Sequence, residues 1–295
     1  MKRRKILSYC SIFLSGFITA CNSNSQKQNT EISVNVPKNI KFTITDVNNL
    51  QELEASYGKL RKTLEEILDI KIEFLPVENR TAAAAALVSG KLDIVFAGPS
   101  EYLILNSRAK SIPIIGVKRP NYHSIIVVRA NSKIKSLSQL KGKTIAMSRI
   151  GSTSGHIGPT KLLMDAGLDP KNDVKIVMLG DHGLKALVKG EVDAWVNASD
   201  TYNDKLAKEK LLEKDFDIIA KSPLLPNDVF VANNRLQANL IADMRSRMLK
   251  NQDKILQSII LADKKYQGAS LTAANDSDYN MIREVYQNMG EGSFL

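Results

Sequence analysis

Three consecutive hydroxyl residues, Ser152-Thr153-Ser154, stand between Gly151 and Gly155, just ahead of a helical pattern carrying Pro159, Leu162, Leu163 and Met164. This arrangement suits an oxyanion. The first backbone N–H groups of a helix have no intrahelical partners, the positive end of the dipole faces the ligand, and the hydroxyls add donors. The segment is not a Walker loop, since no Gly-Lys-Ser/Thr closes it. Nor is it a nucleophile elbow, because the centre of the Gly-x-Ser-x-Gly frame is Thr153.

Two other polar stretches could face the same ligand. Gly180-Asp181-His182 precedes a second helical pattern, and Ser222-Pro223-Leu224-Leu225-Pro226-Asn227-Asp228 precedes a strand. Ser152, His182 and Asp228 contain the residue types of a hydrolytic triad, so an extracellular hydrolase is an alternative. Three adjacent hydroxyls without an elbow suit binding better than attack. No catalytic residue, metal or cofactor is therefore expected.

The elements that must position these groups alternate between strand and helix. Ile40–Val47 alternates as a strand, and Leu50–Leu68 carries apolar residues at helical spacing. Lys71–Val77 is a strand, Thr81–Ser89 an alanine-rich helix and Leu92–Phe96 a strand. After Gly98 and Pro99, a helix is expected from Glu101 to Arg108, then strands at Ile112–Val117, Ser124–Val128 and Lys143–Ser148. Helical patterns cover Gln237–Tyr266 and Asp276–Asn288. The alternation predicts an α/β protein with largely parallel sheets. An internal echo points to two similar lobes: Leu87-Val88-Ser89-Gly90-Lys91-Leu92-Asp93 resembles Leu187-Val188-Lys189-Gly190-Glu191-Val192-Asp193, one hundred residues later. Both read as a helix end, a glycine cap and a strand opened by Asp.

The chain has 295 residues and a formal charge of +10, with 43% hydrophobic and 24% charged residues. That composition excludes a disordered tail protein, a collagen-like fibre and a polytopic membrane protein. Four positive charges lie in Lys2-Arg3-Arg4-Lys5, ahead of a short apolar run from Ile6 to Ala20. This is a signal-peptide pattern. Its ending, Ile18-Thr19-Ala20-Cys21, resembles the lipobox of bacterial lipoproteins, which makes residues 1–20 a leader and Cys21 the acylated first residue. Residues 21–39 then form a lipidated tether to the membrane. Losing residues 1–20 leaves +6, with no nucleic-acid motif attached to it, and removes Cys10, the only other cysteine.

Taken together and in order, the motifs at 151–155, 180–182 and 222–228 resemble the phosphonate-binding proteins of ABC importers over about Lys41 to Asn288. The resemblance implies a type II periplasmic-binding-protein fold, two α/β lobes around a ligand cleft. The chain crossings are expected near Val128–Asn131 and Ile219–Ser222. Lobe 1 would then be 40–128 plus 222–295, and lobe 2 129–221. It also implies that Ser152, Thr153 and Ser154 cradle the oxyanion, that His182 donates to it, and that Asp228 faces it from the other lobe. A carboxylate there can accept from a protonated P–OH but repels a fully ionised sulfate.

Family members that take aminoalkylphosphonates carry tyrosines where Arg80 and Ala97 stand here, so a smaller oxyanion is expected, with Arg80 as a charge-assisted donor. Tyr102 could return into the cleft, and Tyr122 borders the ligand. The function implied is capture of phosphite, phosphate or a small phosphonate such as methylphosphonate, and delivery to a membrane permease and its ATPase subunit. The receptor would be an extracytoplasmic monomer. Sulfate-like, nitrate and sulfonate ligands stay open on the same fold.

Overall fold

The computed structural model describes residues 37–78 and 82–290. The leader, the lipidation residue Cys21, most of the tether and Arg80 lie outside the described residues. In chain order, β1 (Asn39–Ile44), α1 (Leu50–Leu68), β2 (Lys71–Phe74), α2 (Ala82–Val88), β3 (Ile94–Ala97), α3 (Pro99–Ala109) and β4 (Ile112–Lys118) open the first lobe. The second lobe holds β5 (Ser124–Arg129), β6 (Thr144–Met147), α4 (Gly158–Asp165), β7 (Lys175–Met178), α5 (Gly183–Lys189), β8 (Ala194–Ala198), α6 (Tyr202–Lys208) and β9 (Phe216–Lys221). The chain then returns to the first lobe as β10 (Asp228–Ala232), α7 (Ala238–Lys250), α8 (Gln252–Ala262), β11 (Ser270–Thr272) and α9 (Asn280–Asn288).

The sheets are β11-β4-β10-β3-β1-β2 and β7-β6-β8-β5-β9. In each, three strands run parallel, β2-β1-β3 and β7-β6-β8, and the strand that arrives from the other lobe adds antiparallel. The sheets are therefore mixed. A strand entering from across the cleft runs back against the parallel set, which the hydrophobic pattern does not reveal.

Strand β5 pairs with β8 and β9, so it belongs to the second sheet. The first crossing accordingly falls at residues 119–123, earlier than the expected Val128–Asn131, and residues 124–128 leave the first lobe. The second crossing falls at 222–227. Ser222 ties the two together: its N–H donates to the Ser124 carbonyl at 2.9 Å, and its Oγ accepts from the Ser124 N–H at 2.9 Å.

The internal echo is a structural repeat. Gly90 and Gly190 both take left-handed backbone angles, φ 72° and 76°, where a side chain would be strained. Lys91 N–H and Glu191 N–H each donate at 2.9 Å to the alanine five residues back. Asp93 then accepts the Lys41 N–H of β1 at 2.8 Å, and Asp193 accepts the Thr144 N–H of β6 at 2.9 Å. Each carboxylate locks the start of one strand to the start of its parallel neighbour.

Apolar layers cover both faces of the first sheet. Phe42, Phe74, Phe96 and Phe230 stack beneath α1, α7 and α8, with the Phe96 and Phe230 rings 4.4 Å apart. Burying each ring contributes roughly 1.5–3 kcal/mol. The opposite face packs on α2, α3 and α9. The helical pattern expected through Gln237–Tyr266 breaks at Asn251, which splits it into α7 and α8.

Candidate functional site

The hydroxyl triplet sits where β6 leaves the second sheet. Ser148 N–H donates to the Gly155 carbonyl at 2.9 Å, folding residues 148–155 into a closed loop. Ser152 caps the following turn, its Oγ accepting from Gly155 N–H at 3.2 Å. That turn, Thr153–Ile157, is wider than an α-helix and runs directly into α4. Its start leaves the N–H groups of Thr153 and Ser154 without intrahelical acceptors. Gly155 is required by space: a Cβ there would lie 2.4 Å from the Cβ of Ser148.

His156, buried on the same turn, was not singled out from sequence. Its Nδ1 accepts from Gly151 N–H at 3.2 Å, so in the neutral ring the proton lies on Nε2.

A second helix start meets the triplet from the first lobe. Helix α3 begins at Pro99, two residues earlier than expected, because proline is well suited to the first helical position and Gly98 serves as its N-cap. This places Ser100 in the first turn. Ser100 N–H donates to Thr153 Oγ1 at 3.2 Å, and the two hydroxyls lie 2.8 Å apart. Both residues are buried. Ile157 and α9 strengthen this junction, since Ile157 shares a buried apolar cluster with Ile282 and Val285.

Beside it lies a buried group of charges. Arg119, on the first crossing, has its guanidinium 3.2 Å above the ring of Tyr122, and two residues further on the Ser124 Oγ donates to the Ser154 carbonyl at 2.9 Å. Arg119 Nη1 is 3.4 Å from Asp200 Oδ2, and Arg119 Nε is 3.5 Å from Asp228 Oδ2. Asp200 follows β8 in the second lobe and Asp228 opens β10 in the first. Burial opposes the Arg119 charge, but Asp228, Tyr122 and Asp200 outweigh it and raise its pKa. Burial raises the pKa of Asp200, against the pull of Arg119. Lys265 completes the group; burial opposes its charge, while Asp228, Asp46 and Asp263 stabilise it and raise its pKa. Burial pushes the Tyr266 phenol well up, and the Asp228 charge adds to this.

The structure thus brings together Ser152, Thr153, Ser154, Tyr122 and Asp228, five of the residues singled out from sequence. His182 is exposed at the end of the turn after β7, and Gly180 N–H of that turn donates to the Ser148 carbonyl at 3.3 Å. Tyr102 is not in the cleft. It is fully buried in the first lobe, its ring 4.3 Å from that of Tyr279 and its hydroxyl donating to Asp276 at 2.7 Å. Ser100, Arg119, Asp200 and Lys265 were missed. Arg119 sits in Lys118-Arg119-Pro120-Asn121, which reads as a solvated turn, and only the crossing geometry buries it.

The family model described as "ABC transporter, phosphonate, periplasmic substrate-binding protein" matches residues 42–279. The phosphate-import protein PhnD of Mycolicibacterium smegmatis is 27% identical over 296 residues, covering 90% of each chain. Among solved structures, XAC2383 from Xanthomonas citri bound to ATP superposes with a TM-score of 0.69 at 18% identity, over 87% of this chain and 98% of that one. PhnD1 from Prochlorococcus marinus in complex with methylphosphonate gives 0.66 at 21% identity, over 87% and 100%. Two mixed sheets with two crossings between them are the type II arrangement these structures share with the chain. By fold and by sequence, the chain belongs to the periplasmic substrate-binding proteins of phosphonate ABC transporters.

Proposed function

We propose that this receptor captures a small phosphorus oxyanion, namely phosphite, phosphate or a small phosphonate such as methylphosphonate, between its lobes. The observation that carries this reading is the meeting of two helix starts at Thr153 and Ser100, with Arg119 alongside. Backbone N–H groups and hydroxyls around Ser152, Thr153 and Ser154 hold the oxygens, and Asp228 accepts from a protonated P–OH. His182 closes the rim as a donor, and Arg80 adds charge from the first lobe. The names of two relatives, one importing phosphate and one bound to methylphosphonate, point the same way.

Closing of the lobes presents the form that a membrane permease and its ATPase subunit accept, and no covalent step is involved. Cys21 carries the lipid that holds the monomeric receptor at the membrane through the tether.

Thermal denaturation of residues 25–295 with phosphite, phosphate, methylphosphonate, sulfate and an alkylsulfonate tests this reading. A ligand at 100 times its Kd adds about 2.7 kcal/mol to the native state. Stabilisation by a phosphorus oxyanion, and not by sulfate, is expected. Stabilisation only by sulfur oxyanions would overturn the assignment.

A further inference from the structure

Arg119 lies at a place where one cation meets carboxylates from both lobes. Its side chain is 5% exposed, and those of Asp200 and Asp228 are 9% and 7% exposed. The contacts, 3.4 and 3.5 Å, are close enough for charge pairing, yet they are not made as hydrogen bonds. Among the described residues, Arg119 Nε, both oxygens of Asp200 and Oδ2 of Asp228 have no hydrogen-bond partner. Buried polar groups are ordinarily satisfied, so this cluster is electrostatically matched but open to further donors and acceptors.

Lys265 cannot stand in for Arg119 at Asp200. Its ammonium lies 3.1 Å from Asp263 and 3.9 Å from Asp46, and it is the more exposed of the two cations. Arg119 is therefore the cation in direct contact with Asp200 and Asp228, while Lys265 is held by Asp263 and Asp46. Without Arg119, Asp200 and Asp228 would form a buried pair of carboxylates lacking a direct counter-ion, a strong site for any small cation. The cluster adjoins the proposed oxyanion cradle: Gly98, the N-cap of the helix whose Ser100 meets Thr153, lies beside Asp228, where an added Cβ would be 3.8 Å from Asp228 Oδ1.

We propose that Arg119 sets the charge class of the ligand: its guanidinium occupies the position between Asp200 and Asp228 that an ammonium group on the ligand would otherwise take. The cleft then accepts an oxyanion without a cationic side group and turns away aminoalkylphosphonates. This inference rests on the oxyanion reading above and deepens it. Arg119 acts by exclusion and by charge balance.

Ethylphosphonate and aminoethylphosphonate differ at the end of the chain by one ammonium group, so the ratio of their Kd values reads this role directly. In calorimetry, the unsubstituted protein is expected to bind ethylphosphonate more tightly by about tenfold or more. Arg119→Gln should shift the ratio toward aminoethylphosphonate by a similar factor, and Arg119→Lys should leave the original preference. If Arg119→Gln does not melt cooperatively, Arg119→Gln combined with Asp200→Asn removes one uncompensated charge and is expected to show a smaller shift in the same direction. An unsubstituted protein that binds both ligands equally, or a folded variant with an unchanged ratio, overturns the proposal alone. An unsubstituted protein that binds no phosphorus oxyanion overturns the assigned function, and this inference with it.

Discussion

The Thr153 hydroxyl of the second lobe lies 2.8 Å from the Ser100 hydroxyl of the first, and the Ser100 N–H donates to the same oxygen at 3.2 Å. Two helix starts from opposite lobes therefore share one hydroxyl. If Thr153 holds the oxyanion as proposed, bringing the lobes together also shapes that site. Removing that hydroxyl should affect both.

Thr153→Val keeps the shape and removes the shared acceptor. A loss of about 1–2 kcal/mol in oxyanion binding is expected, read by calorimetry. Ser100→Ala should produce a similar loss. The double variant should lose less than the sum, since both changes remove one interaction. Full additivity would mean that the two hydroxyls act separately.

Gly155→Ala forces the Ser148–Gly155 contact apart, because the added Cβ would lie 2.4 Å from the Cβ of Ser148. Overpacking of this kind costs about 1–3 kcal/mol of stability. The larger effect should fall on binding, since the loop that aims the Thr153 and Ser154 N–H groups must move. A variant with unchanged affinity and a lowered Tm would show that the loop relaxes without disturbing the cradle.

Asp93→Ala and Asp193→Ala each remove the carboxylate that accepts a neighbouring strand's N–H, at 2.8 and 2.9 Å. Each should destabilise its lobe by about 1–3 kcal/mol in denaturant titration, because a partly buried backbone donor is left unpaired. Similar losses at the two positions are expected from their equivalent places in the repeat. A large loss at only one would show that the two lobes use the motif differently.

Tyr57 is one of several buried tyrosines that add to alkaline sensitivity; its phenol is pushed up to about 12, chiefly by burial. Between the ordinary value near 10 and this raised value, the unfolded chain ionises while the folded chain keeps its proton. Stability is therefore fully present below pH 10 and declines as pH rises toward 12, by up to about 2–3 kcal/mol from this residue. Tyr57→Phe should flatten the decline in urea midpoints measured from pH 9 to 11.5. An unchanged slope would place the alkaline sensitivity elsewhere.

Much of this architecture is legible along the chain. Periodicity alone locates α1 at Leu50–Leu68, with Asn49 as the cap accepting the Glu52 N–H at 2.7 Å. The glycine-flanked hydroxyls announce their loop because a helix start, small residues and hydroxyls are all local features. The repeat at Asp93 and Asp193 is visible for the same reason. The crossing at residues 119–123 is not, since β4 and β5 are both short apolar runs and nothing in either names its sheet. Tyr102 shows the same limit: its ring packs on Tyr279 and its hydroxyl donates to Asp276, partners more than 170 residues away in the chain that its local sequence does not name.

The sequence by itself determined the two-lobed α/β repeat and the glycine-flanked hydroxyl loop, because caps, periodicities and turn residues act within a few positions. The tertiary structure decided which charges gather near that loop. Arg119, Asp200, Asp228 and Lys265 come from two lobes and a crossing, across 146 residues of chain, and become a group only once burial strengthens their fields. Their meeting depends on which sheet each strand joins, and strand pairing is a long-range choice that no short stretch of residues contains.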